Sequence, residues 1–192
     1  MARIRKFCAY RALEPRAYTR ISKYREKSFI KASPHINIVN FDMGNIKKKF
    51  GYEVDLISKQ DLQIRHQAME SARMTCNRVL ETVLGKNGYY FKIRFYPFHI
   101  LRENPLAAGA GADRMSTGMK HSFGKPIGRV ARIRKGQILF QLKVNKSNLD
   151  TAKKALKRAS YKLPCPCLIQ VTEVKEKSVK PKAAKTELKV AK

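Results

Sequence analysis

Ile127-Gly128-Arg129-Val130-Ala131-Arg132-Ile133, then Arg134-Lys135-Gly136, then Gln137-Ile138-Leu139-Phe140-Gln141-Leu142-Lys143-Val144 run on without a break. Both flanks alternate apolar and polar residues, the two-residue period of a half-buried strand. Gly136 marks a tight turn between them. The expected local structure is a hairpin. Asn148 follows as a helix cap, and Leu149, Ala152, Ala155, Leu156 and Ala159 fall on one face of a helix reaching Ser160. Its other faces carry Lys153, Lys154, Lys157 and Arg158. Two neighbouring strands followed by a covering helix point to the α+β class and not to a regular β-α alternation.

The rest of the chain fits the same class. Upstream, His35 to Phe41 alternates and predicts a strand, with Asp42-Met43-Gly44-Asn45 as a turn. Tyr52 to Ile57 alternates again. Ser58 caps a predicted helix running to Leu84, with Asp61 in its first turn and Leu62, Met69, Ala72, Cys76, Val79, Leu80 and Val83 on one face. Gly85 stops it. Tyr89 to Tyr96 predicts a strand that Pro97 interrupts and Phe98 to Leu101 resumes, and Cys167 to Thr172 a last one. The expected architecture is antiparallel sheet with two main helices in one domain, residues 35–174. A long aperiodic loop at 104–126 divides it.

Charge is the outstanding property. The 192 residues hold 42 Lys+Arg against 14 Asp+Glu, a net +28. A small domain ordinarily carries roughly 2–8. Such self-repulsion is relieved when a polyanion binds and releases its counterions, so nucleic acid is the first partner to consider. The excess is uneven: residues 1–31 hold ten cations and two acids, whereas residues 32–62 hold four of each. A neutral folded middle with basic extensions suits a body that grips RNA through its ends. The arm, residues 1–34, interleaves arginines with Tyr10, Tyr18 and Tyr24, a mixture suited to phosphates and splayed bases. The tail, residues 175–192, is Lys-rich with little apolar content and is expected to be disordered when free. No stretch approaches the ~18 apolar residues of a membrane span, and no secretory leader is expected.

Chemistry of other kinds finds little support. Cys165-Pro166-Cys167 is the one close pair among four cysteines, and a structural zinc site usually takes two C-x₂₋₄-C pairs or one such pair with two His, so a lone CxC is weak evidence for zinc. His35, His66, His99 and His121 show no metal-ligand spacing, so no cofactor or metal is expected. Within the loop, Asp113, Ser116, Lys120, His121 and Ser122 form no recognisable triad. Gly109-x-Gly111 lacks the Gly-Lys-Ser/Thr of a phosphate loop. The loop combines flexible glycine backbone with Arg114, Lys120 and Lys125 and with Met115 and Met119, a composition able to thread between RNA strands.

A series of motifs then appears in order: Phe41-Asp42-Met43-Gly44-Asn45, Phe91-Lys92-Ile93-Arg94-Phe95-Tyr96-Pro97-Phe98, Arg102-Glu103-Asn104-Pro105, Gly111-Ala112-Asp113-Arg114, Thr117-Gly118-Met119 and Phe123-Gly124-Lys125-Pro126. Over residues 3–174 the chain resembles the large-subunit ribosomal protein L-ten-e family, relatives of bacterial L-sixteen, in an archaeal-type form. The resemblance implies an α/β-hammerhead fold and a cytoplasmic place in the large ribosomal subunit. It implies partners in large-subunit ribosomal RNA, A-site tRNA and neighbouring ribosomal proteins, with no membrane and no small-molecule substrate. Expected RNA contacts are Arg3, Arg5, Lys6, Tyr10, Arg11, Arg16, Tyr18, Arg20, Arg129, Arg132 and Arg134. The loop residues Gly109, Gly111, Arg114, Met115, Gly118, Lys120 and Lys125 are expected near the tRNA and the peptidyl-transferase centre. A free-standing RNA-binding factor is the second reading and an RNA-directed enzyme the third.

Overall fold

The structure, a computed structural model, describes residues 6–14, 17–103 and 124–174. Its strands are β1 (Asp42–Gly44), β2 (Tyr52–Ser58), β3 (Leu62–Arg65), β4 (Tyr90–Ile93), β5 (His99–Glu103), β6 (Lys125–Ile133), β7 (Ile138–Val144) and β8 (Cys167–Glu173); its helices are α1 (His66–Leu84) and α2 (Leu149–Ser160). They form two antiparallel sheets, one ordered β1-β4-β7-β2-β8 and one ordered β3-β6-β5. The expected α+β class, with antiparallel sheets and two main helices, is what the structure shows.

The register explains the core. Val54, Leu142 and Phe91 align across β2, β7 and β4, and Leu56, Phe140 and Ile93 form the next row. All six are fully buried. Burying each such side chain contributes about 1.5–3 kcal/mol. Met69, Ala72, Cys76 and Leu80 of α1 and the alanines of α2 complete the same core. The helices pack on each other, and α2 lies over β2, β7 and β8. The alternate positions of these strands form a polar reverse face. There Tyr90 donates to Asp42 at 2.7 Å, Lys92 pairs with Asp42 at 3.2 Å, and Gln141 donates to Glu53. Asp55, opposite Gln141, is buried with its Oδ1 lacking a hydrogen-bond partner.

Three expectations are corrected. First, the predicted hairpin does not form: β6 pairs with β3 and β5, whereas β7 pairs with β2 and β4. Gly136, at φ +81°, turns the chain with its N–H donating to the Ser58 carbonyl at 2.8 Å, and the Ser58 N–H donates to the Gln137 carbonyl at 3.0 Å. The chain thus changes sheet at Gly136, as it does between β2 and β3 and again through Pro97 between β4 and β5. Second, α1 starts at His66 and not at Ser58, because Leu62–Arg65 pairs with Val130–Ile133 as β3. Asp61 accepts the Lys135 N–H at 2.5 Å instead of facing a helix terminus. Third, residues 35–41 form no strand, and Asp42–Gly44, read as a turn, pairs with Tyr90–Lys92 as β1. Ile38 is buried all the same, and the Asn37 N–H donates to His66 Nδ1 at 3.1 Å.

Candidate nucleic-acid interface

The described part of the arm is seated on the three-stranded sheet. Ile21 N–H donates to the Phe98 carbonyl at 2.7 Å, and Ile100 N–H donates to the Thr19 carbonyl at 3.1 Å. Thr19 Oγ1 donates to the Ile100 carbonyl at 2.7 Å, and Gln63 of β3 reaches the carbonyls of Arg11 and Ala12 at 2.9 and 2.6 Å. The arm therefore satisfies backbone groups along the outer side of β5 that would otherwise face water.

Arg129 and Arg132, expected to touch RNA, are occupied in this seat. Arg129 Nε donates to the Pro34 carbonyl at 3.0 Å and its Nη2 to Ser33 Oγ at 2.5 Å. Arg132 Nη2 donates to the Ala17 carbonyl at 2.6 Å, and its guanidinium lies 5.2 Å from the Tyr18 ring centroid. Arg134 is exposed. Tyr10 is also reassigned: its ring is buried against Leu101 and Val130, which leaves no open face for a base. Its hydroxyl donates to Glu103 Oε2 at 3.2 Å, at the entrance to the long loop.

With the backbone held, the charged side chains turn outward. Lys6, Arg11, Arg20, Lys23, Arg25, Lys27 and Lys31 are all exposed, as are Phe7, Tyr18, Tyr24 and Phe29. Tyr18 meets Phe29 and His99 edge-on at 5.0 and 4.9 Å. Burial, with Arg132 and Arg20 nearby, pushes the His99 imidazole down to about 4, so it is neutral at physiological pH. A second aromatic group escaped the sequence reading. The Tyr96 ring touches both Phe41 and Phe98, with centroid spacings of 4.8 and 5.5 Å, and Tyr96 and Phe98 are exposed. In the sequence Tyr96 and Phe98 looked like strand residues around Pro97; the change of sheet there turns them outward.

Glu103 and Lys125 face each other in the β5–β6 register, so the ends of the long loop are neighbours. Lys125 and Pro126, assigned to the loop, belong to β6. Arg3, Arg5, Arg16, Gly109, Gly111, Arg114, Met115, Gly118, Lys120 and the tail from residue 175 lie outside the described residues. Among the described residues no three His, Cys, Asp or Glu side chains gather as for a metal ion. Among the described residues no helix is long and apolar enough to cross a membrane.

Residues 16–170 match the family described as Ribosomal protein L16p/L10e. The chain is 47% identical over 167 residues to the large ribosomal subunit protein uL16 of Methanococcus maripaludis, covering 87% of this chain and 93% of that one. It is 43% identical over 169 residues to the protein of the same name from Methanospirillum hungatei, covering 88% and 95%. With that from Staphylothermus marinus the identity is 44% over 156 residues, covering 80% and 90%. An archaeal-type pattern of likeness, spread across both sheets and both helices, accompanies the arm and its cations: the chain belongs to the Ribosomal protein L16p/L10e family.

Proposed function

We propose that this chain is a structural constituent of the large ribosomal subunit and works there in the cytoplasm, with no catalysis of its own. It binds large-subunit ribosomal RNA through the seated arm and meets neighbouring ribosomal proteins. It helps hold A-site aminoacyl-tRNA near the peptidyl-transferase centre through the segment between Glu103 and Lys125. The observation that carries the RNA reading is the arm itself. Its backbone is fixed by hydrogen bonds while seven cations and four aromatic rings stay exposed along it. Arginine forks suit phosphate oxygens, and exposed rings suit unstacked bases. Lys6, Arg11, Tyr18, Arg20 and Arg134 keep the role of RNA contacts, joined by Tyr96 and Phe98. Arg129, Arg132 and Tyr10 act one step back, by holding the arm in place.

Sedimentation tests this. The tagged chain, produced in cells of an archaeal relative, is followed through sucrose gradients at rising salt. It is expected to stay with large subunits after a high-salt wash. Replacing Arg11, Arg20, Lys23 and Lys27 together by Ala is expected to reduce its incorporation. Complete release of the unaltered chain by the wash would support a free-standing RNA-binding factor instead.

A further inference from the structure

Cys165 and Cys167 flank one proline, and their sulfurs lie 3.5 Å apart, in direct contact. Pro166 has a fixed φ, which limits how far the two flanking thiols can drift from each other. Its carbonyl accepts the Lys59 N–H at 3.1 Å, and Cys167 opens β8 opposite Ser58, so both sides of the pair are anchored to β2 or the turn after it. Cys165 is 8% exposed and forms part of the wall of an open cavity of about 500 Å³. Arg65 and Lys162 line the same cavity. The ribosomal role gives this arrangement no task.

We propose that Cys165-Pro166-Cys167 is a peroxide-reactive dithiol, with Cys165 the attacking sulfur and Cys167 the resolving one. Hydrogen peroxide is small enough to reach Cys165 through the cavity, where a bulky disulfide oxidant is hindered. The bond with Cys167, joined by one with Ser58 and opposed by burial, moves the Cys165 thiol down, whereas the bond with Cys165 and burial push the Cys167 thiol up. In the first step the Cys165 thiolate attacks one peroxide oxygen. The S–O bond forms, the O–O bond breaks, and the departing hydroxide takes a proton from solvent to become water. Cys165 is then a sulfenic acid. In the second step Cys167 gives up its proton and attacks the Cys165 sulfur. The S–S bond forms, the S–OH bond breaks, and that hydroxide leaves with the proton as a second water. Two thiols and one peroxide have become one disulfide and two waters. A ring closed across a single residue is strained and returns readily to the dithiol under a reductant.

Cys8 and Cys76 serve as internal references, one exposed and one buried. The full chain is reduced, exposed to hydrogen peroxide for graded times, alkylated, and cut with trypsin; residues 163–175 form one peptide containing both thiols. The expected result is a peptide lighter by two hydrogen atoms and closed to alkylation, appearing at least about ten-fold faster than oxidation of Cys8. Dithiothreitol should reverse it. In Cys167→Ser, dimedone is expected to trap Cys165 as its sulfenic adduct. In Cys165→Ser, Cys167 should remain alkylatable over the same time. Both thiols staying alkylatable while Cys8 oxidises would overturn the proposal. So would a disulfide joining Cys165 to Cys8, or a dimedone adduct found on Cys167 alone.

Discussion

Tyr10 couples the arm to the loop entrance, and its two contacts can be separated. Tyr10→Phe keeps the ring between Leu101 and Val130 but removes the hydroxyl from Glu103. The expected loss is about 1 kcal/mol in urea unfolding of the free protein, the net value of one hydrogen bond, somewhat more if the Glu103 carboxylate is left poorly solvated. Tyr10→Ala empties the seat and is expected to cost about 3–5 kcal/mol. Equal stability of Tyr10→Ala and the unaltered chain would mean that the arm is not seated in solution. Asp55 works in the opposite direction. Burial, and then the neighbouring Glu53, raise its carboxyl from 3.8 to about 6. Below the lower value both folded and unfolded chains hold the proton. Between the two values the unfolded chain ionises first, so the folded state loses stability as pH rises, and the loss is complete above the upper one. Asp55→Asn is therefore expected to stabilise by about 1–3 kcal/mol near neutral pH and to have little effect below its ordinary range. Paired melts at the two pH values test it, and a gain that grows as pH falls would contradict it. Neither residue was legible in advance. Tyr10 looked like any tyrosine among arginines, and Asp55 looked like the polar half of a strand.

At the level of elements, period proved easier to read than partnership. The α2 face of Ala152, Ala155, Leu156 and Ala159 follows directly from helical spacing, and all four are buried. Alternation around Gly136 correctly marked two strands, but no period says which strand each one joins. That choice is made by the bonds between Ser58 and the Gly136 turn, from residues some eighty positions apart. For the same reason α1 looked too long: Leu62 suits the helical stripe of Met69 as well as it suits β3. The long loop offers a test at this scale. Glu103 and Lys125 are register neighbours, so a short Gly-Ser linker replacing residues 104–123 spans a small gap. Each halving or doubling of a flexible loop changes closure by only about 0.6 kcal/mol. The shortened chain is expected to melt within a few degrees of the original and to enter large subunits, about as before. Those subunits should synthesise peptide slowly, most of all at limiting aminoacyl-tRNA. Normal synthesis at both saturating and limiting tRNA would remove the tRNA-positioning role from this segment.

For the whole molecule, the net +28 sets what the proposed RNA binding should look like in solution. Log affinity for a large-subunit RNA fragment is expected to fall linearly with log salt, by about 0.7–0.9 for each phosphate neutralised. Measured by filter binding, the slope for the unaltered chain should exceed that of the arm variant lacking Arg11, Arg20, Lys23 and Lys27 by about 3. A slope near zero would refute the electrostatic account, and equal slopes would move the contact away from the arm. Fold class and family were legible in the sequence because they depend on periods and order: alternation, helical stripes and the order of the motifs. The seating of the arm was not, because it depends on two arginines choosing carbonyls of residues 17 and 34 over phosphates. Composition alone does not distinguish those choices.

The seat of the arm also has an order of arrival. Thr19 bonds to a residue 81 positions later, Arg129 reaches back 95 positions to Pro34, and Arg132 reaches back 115 to Ala17. A chain made from its N-terminus onward releases the arm long before β5 and β6 exist to receive it. For most of its own synthesis the nascent protein trails a loose polycation open to any competing nucleic acid. Only when β6 emerges does the strand beside it close the clasp, so the last third of the chain decides when the first stretch stops being free.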